Sequence, residues 1–240
     1  RQRTGTNICG EEVELASMEV RDGIAHIPVA GVIGHKLSGF AKGRGAVDVA
    51  DIAADLDEAE ADPRVRGALL EFDSPGGMVA GTPELADRIA EFSKPIFAFT
   101  DSMIASAAYW LAASTDGIFS TKTATIGSIG VYIPFYDESK AYEKEGVAVE
   151  LIKAGKLKGT GFPGLPLTKE QRAHLQERVD SIYTDFTSHV SARRPGVTSD
   201  TMQGQTFPGS EAYRRKLVDA VVRSRDQVVA IFPADAVRRR

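Results

Sequence analysis

Apolar positions along the chain follow two spacings. From Ile24 to Gly34 nearly every residue is apolar, the pattern of a buried strand. Pro28 inside it predicts an edge or a bulge, because proline cannot donate to a ladder. Residues 1 to about 20 are polar and irregular and predict a loosely attached arm. A Gly-rich loop follows at Gly39, Gly43 and Gly45. Val47 to Ala61 has helical spacing and stops before Asp62-Pro63. Val65 to Phe72 reads as a strand, Asp73 to Gly77 as a turn, and a helix starts with Thr82 as N-cap and Pro83 as its first residue. Further strands are expected at Pro95–Thr100, Ile126–Ile133 and Val147–Ile152, and helices at 104–115 and Asp137–Glu145. After a loop rich in Gly and Pro, Thr168 and Gln171 have capping-box spacing at the start of a helix to Ser191. Its stripe of Leu175, Val179, Ile182, Tyr183, Phe186 and Val190 must dock on something. Two short helical segments close the chain, Gly209–Lys216 and Arg225–Ile231. The repeated strand-turn-helix order predicts an α/β fold with a largely parallel sheet.

The 240 residues suit one large domain with appendages. The expected division is an arm over 1–20, a main domain over 21–222 and a helical tail over 223–240. A net charge of −4 gives no basic field for nucleic acid. Arg1, Arg3 and the run Arg238-Arg239-Arg240 read as solvated tails. The single Cys9 excludes an intrachain disulfide and fits a reducing compartment. No Cys/His cluster has metal-ligand spacing, so neither metal nor cofactor is expected. No apolar run approaches the ~20 residues of a membrane-spanning helix. The chain begins with Arg1 rather than Met, which leaves a preceding signal or anchor open.

Four segments carry candidate chemistry, and each has a plainer reading beside it. Asp73-Ser74-Pro75-Gly76-Gly77 follows a buried strand; its glycines let backbone amides approach a ligand, as an oxyanion hole requires, or it is a simple turn. Ala105-Ser106-Ala107-Ala108-Tyr109 puts a serine among small residues at a helix start, where free amides stabilise negative charge; the alternative is an N-cap or small-residue packing. Gly127-Ser128-Ile129-Gly130 marks close backbone approach in a strand, with Ser128 facing a site or satisfied by backbone. Ile152 to Gly159 carries Lys153, Lys156 and Lys158 on a basic loop, which alone reads as solvated. A lysine serves as a general base only when uncharged, a form that burial or nearby positive charge favours.

In their order, these four segments resemble the signal peptide peptidase A (protease IV) family and its phage-type members. The likeness runs from about residue 24 to 222. It includes Pro166 to Glu170 before the long helix, Phe207-Pro208-Gly209, and Leu217-Val218-Asp219. It implies a ClpP/crotonase-like fold of repeated ββα units. It implies a serine endopeptidase with a serine–lysine dyad, acting through an acyl-enzyme in signal-peptide-type peptide degradation or in phage head maturation. Ser106 would be the nucleophile, Lys158 the general base and Ser128 the group orienting the amine. Gly76 or Gly77 with Ala107 would form the oxyanion hole. The chain departs from the family at Ala107-Ala108, where Gly-Gly is common, and at Lys158-Gly159, where Lys-Asp is common. Implied partners are a peptide or unfolded protein substrate and further copies of the chain, with dyads shared between subunits. The phage-type likeness adds scaffold or portal proteins, head maturation, and a place in the host cytoplasm or procapsid.

Rival readings remain. A Ser-His-Asp protease of the ClpP type needs a histidine downstream of the serine, and none lies between Ser106 and His174. A crotonase-like acyl-CoA enzyme would want an acid beside Ser106, and its small neighbours offer none. A catalytically silent capsid-assembly protein would share the fold and need neither Ser106 nor Lys158.

Overall fold

In the computed structural model, which describes residues 3–234, the strand-helix alternation becomes a six-stranded sheet. Three short strands and a turn open the chain: β1 (Arg3–Thr6), β2 (Glu12–Leu15) and β3 (Glu19–Arg21), with β1 and β2 paired antiparallel. β3 turns into β4 (Ile24–Ala30) through Asp22 and Gly23, both at positive φ, as a two-residue hairpin requires. Next come β5 (Ile33–Gly34), α1 (Gly39–Gly43), β6 (Val47–Asp48) and α2 (Val49–Ala61). The sheet grows through β7 (Gly67–Asp73), α3 (Thr82–Ala90) and β8 (Ile96–Thr100). β9 (Met103–Ala105) and α4 (Ala107–Ala113) precede β10 (Gly117–Ser120) and β11 (Thr125–Gly127). After α5 (Ser139–Lys144) and α6 (Lys169–Arg193) the chain closes with β12 (Thr206–Pro208), α7 (Gly209–Arg214), β13 (Ala220–Val221) and α8 (Arg225–Val229).

The main sheet has the order β13-β10-β8-β7-β4-β3, and all its pairs are parallel except β4 with β3. β3 reaches only Ile24 to His26, so beyond His26 β4 is an edge, and Pro28 sits there without costing a ladder bond to β3. The period of two puts Ile24, Leu69, Phe97, Phe99 and Phe119 in one cluster, covered by Val228 and Phe232. The alternate residues Ala25, Ile27, Ala68, Leu70 and Ala98 are buried too, and α2 packs on β4 and β7. A second sheet, β12-β11-β9, meets the first where Ser74 bridges Ile104.

Two compact units result: residues 3–130 with 186–234 form one, Val131–Asp185 the other. The second unit holds α5, the turns around Gly155 to Gly164, and the start of α6, where Thr168 and Gln171 exchange reciprocal bonds of 3.0 and 3.2 Å. No apolar side chain between Val131 and Asp185 is buried.

Several expectations need correction. Val147–Ile152 forms no strand, and the strand expected to Ile133 ends at Gly127. The helix after the Gly-Gly turn is capped by Gly81, at φ 84°, while Thr82 is helical and bonds back to the Met78 carbonyl at 2.8 Å. The Gly-rich loop contains α1, capped by Ser38. Arg3 is no solvated residue: its guanidinium grips the buried Asp55 carboxylate at 2.6 and 2.8 Å. Gly43 lets the hairpin approach α1, since a Cβ there would lie 2.1 Å from the Thr6 carbonyl oxygen. Arg1 and Arg238 to Arg240 lie outside the described residues.

Candidate active site

β9 runs straight into Ser106, which caps α4 at φ 54° and ψ −124° and makes no side-chain capping bond. Few residues other than glycine adopt positive φ, and doing so costs about 1–3 kcal/mol. The surrounding bonds hold it there. The Ser106 amide donates to the Gly127 carbonyl at 2.9 Å, and its own carbonyl accepts from Tyr109 and Trp110 at 2.8 and 3.1 Å. All seven residues of α4 are buried, so the helix is fixed; the Tyr109 hydroxyl donates to the Leu217 carbonyl at 2.9 Å, and burial pushes that phenol upward. The side chain of Ser106 is half-buried and its hydroxyl has no partner among the described residues.

Ser128 follows Gly127 directly and also has a φ of 54°. Its amide donates to the Gln205 carbonyl at 2.6 Å. One backbone bond therefore joins the residue before Ser128 to Ser106.

The glycine turn lies against the same point. Gly76 has a φ of 95°, and a Cβ there would fall 2.6 Å from Ser106 Cβ and 2.8 Å from the Ala107 nitrogen. The Gly76 amide donates to Ser74 Oγ at 3.1 Å. The Gly77 amide takes no acceptor among the described residues, and Gly77 is exposed. Ala107 is the first residue of α4, where helical geometry leaves amides unpaired. Ser106, Ser128, Gly76, Gly77 and Ala107 thus come together within the first unit. Lys158 belongs to the second unit. It is exposed, its amide closes a turn onto the Gly155 carbonyl at 3.1 Å, and its ammonium has no ion pair among the described residues. Lys153 instead reaches the Lys156 carbonyl at 3.1 Å, and Lys156 lies 3.8 Å from Glu170.

The molecule also forms a serine–histidine pair the sequence did not suggest, Ser114 Oγ and His189 Nε2 at 2.9 Å. Ser114 is 5% exposed and caps the buried C-terminal end of α4, away from the positive-φ turn at Ser106 that starts the helix. His26 is engaged with Glu71 at 2.5 Å. No group of three or more His, Cys, Asp or Glu among the described residues could hold a metal.

The family model for peptidase family S49 matches residues 88–234. The chain belongs to peptidase family S49. Among S49-related proteins, it is 36% identical to capsid assembly protease C of Escherichia phage lambda, over 94% of this chain and 52% of that protein. It is 34% identical to the head-tail preconnector protein GP5 of Enterobacteria phage P21, over 90% of this chain and 44% of that one. The chain spans about half the length of these relatives. Its fold is that of ClpP: a ClpP1 variant from Listeria monocytogenes superposes with a TM-score of 0.55 at 12% identity, covering 84% of this chain and 92% of that one. Among the described residues no helix is long and apolar enough to cross a membrane.

The S49 motifs read from sequence divide by role. Leu217-Val218-Asp219 is structural: Leu217 takes the Tyr109 hydroxyl, and Asp219 pairs with the buried Arg194 at 2.8 Å and accepts the Ile118 amide at 2.7 Å. Within Ser74-Pro75-Gly76-Gly77 the sequence pointed to the glycines. The serine hydroxyl bonds the Gly76 amide two residues on and the distant Gly31 carbonyl, and the second bond left no signal in the spacing.

Proposed function

We propose that this chain is a serine endopeptidase in which Ser106 attacks the scissile carbonyl and Lys158 removes its proton. The observation that carries this reading is the backbone of Ser106, held at positive φ on the end of α4 against Gly76. A serine needed only for capping would bond its own helix, and this one does not. Gly77 and Ala107 supply the oxyanion amides; Gly76 is left out because its amide already serves Ser74. Attack gives a tetrahedral intermediate, which expels the amine and leaves an acyl-enzyme on Ser106 for water to cleave. Ser128 orients the lysine amine. Lysine works as a base only without its proton, so turnover rises with pH.

The name of the lambda relative, capsid assembly protease C, supports a protein substrate within capsid assembly. The second unit supports self-association: Tyr132, Tyr136 and Ile152 are 84%, 79% and 100% exposed in the single chain. In the oligomer, neighbouring copies cover that surface, and dyads are shared between subunits.

Labelling with a fluorophosphonate followed by peptide mapping tests the nucleophile. The adduct is expected on Ser106, and Ser106→Ala should lose labelling and at least about 10⁴-fold in peptide hydrolysis. An adduct on another serine, or full turnover in Ser106→Ala, overturns the reading. A silent assembly protein would take no label at all.

A further inference from the structure

Ser74 is bonded both to the glycine turn and to the strand that leads into Ser106. Its side chain is wholly buried. The hydroxyl donates to the Gly31 carbonyl at 2.6 Å and accepts the Gly76 amide at 3.1 Å. Its own amide donates to Met103, and its carbonyl accepts from Ala105, the residue before Ser106, at 3.0 and 3.1 Å. One side chain thus locks the first glycine of the turn to a neighbouring loop, while its backbone holds the strand that delivers the nucleophile.

The lock matters because Gly76 cannot hold itself. With no Cβ, its φ of 95° is one option among many. A Cβ is excluded there by Ser106 and Ala107, so stiffness has to come from hydrogen bonds. Two supply it. Ser74 Oγ fixes the Pro75–Gly76 peptide through the Gly76 amide. The Ile33 amide, donating to the Gly76 carbonyl at 2.8 Å, fixes the Gly76–Gly77 peptide. A trans peptide points its N–H opposite to its C=O, so the second bond aims the Gly77 amide away from Ile33.

We propose that Ser74 is a positioning residue for the peptidase reaction: its hydroxyl holds Gly76 so that the Gly77 amide faces the developing oxyanion. The inference rests on the oxyanion role given to Gly77 above. An amide aimed by a rigid frame stabilises the transition state more than the bound substrate, so its misalignment lowers kcat and leaves KM.

Ser74→Ala, Ser74→Cys and a control, Ile52→Ala, are compared with wild type on a fluorogenic peptide with alanine at the cleaved bond. Ile52 is a buried core residue of α2 that makes none of these bonds. Ser74→Ala is expected to lose about tenfold or more in kcat, with KM within about twofold, because its donor is misaimed rather than deleted. A peptide boronate, which forms the tetrahedral adduct, should lose affinity in the same proportion. Ser74→Cys, of similar size and weaker hydrogen bonding, should fall between; it carries the test if the alanine variant does not fold. Ile52→Ala should lower the melting temperature and leave kcat. An unchanged kcat in the Ser74 variants, or a loss that Ile52→Ala reproduces at equal melting temperature, overturns the inference. Should Ser106→Ala retain turnover, the nucleophile assignment itself fails, and the Ser74 result is read apart from it.

Discussion

Ser106 and Ser128 share a φ of 54°, and a single hydrogen bond from the Ser106 amide to Gly127 links them. Neither conformation is local preference; both are imposed by the strands and helix around them. That imposition has a measurable cost. Ser106→Gly relieves the strain, whereas Ser106→Ala keeps it. The glycine variant should therefore melt above the alanine variant by about 1 kcal/mol of stability, after allowing for glycine's freer unfolded chain. Thermal denaturation of the pair checks this, and equal melting temperatures would mean that Ser106 carries no strain.

At the scale of elements, the end of α6 docks where α4 ends. Phe186 stacks on Trp110 at 4.5 Å between ring centres, Val190 is fully buried, and His189 bonds Ser114. Burial, helped by Arg193, holds His189 below the ordinary histidine range, against a smaller opposite pull from Asp87. The folded protein therefore favours the neutral ring. That contribution is complete above about pH 6.5, the unfolded value, and is lost as pH falls through it towards the lowered folded one. Melting temperature should fall more steeply between about pH 7.5 and pH 5.5 in wild type than in His189→Gln. Parallel slopes would show that the ring titrates alike in both states. The same helix shows what sequence can carry. Its capping box and apolar stripe are local and were legible, as were the parallel strands β4, β7 and β8; β10 and β13, with four and two residues, are too short for spacing to reveal. Val147–Ile152 has strand spacing but no ladder to join, and spacing cannot report that. The hairpin of residues 3–15 depends on Gly43 accepting the Thr6 backbone and on Arg3 finding Asp55, contacts between segments dozens of residues apart. Of the candidate site, residue identities were readable from the motifs. The Gly76 amide is engaged locally by Ser74, whereas the Gly31 carbonyl that anchors the same hydroxyl is brought there only by folding.

At the scale of the whole molecule, the chain divides into a unit without a buried apolar side chain and one with a full core. On the proposed reading, other copies of the chain complete it. Ser106→Ala and Lys158→Ala, each inactive alone, should regain turnover when mixed and allowed to exchange subunits, because some sites then combine an intact serine with an intact lysine. Light scattering should show a discrete oligomer that Ile152→Asp weakens. A monomer, or no recovery after demonstrated exchange, would place each dyad within one chain.

The bonds that shape Ser106, Ser128, Gly77 and Ala107 all begin and end inside the first unit. Nothing about the nucleophile's setting waits for a neighbour. On the proposed reading, every copy then carries its hydroxyl already poised, whatever its state of assembly. On that reading, assembly would set when the amine arrives and leave the frame around the serine unchanged.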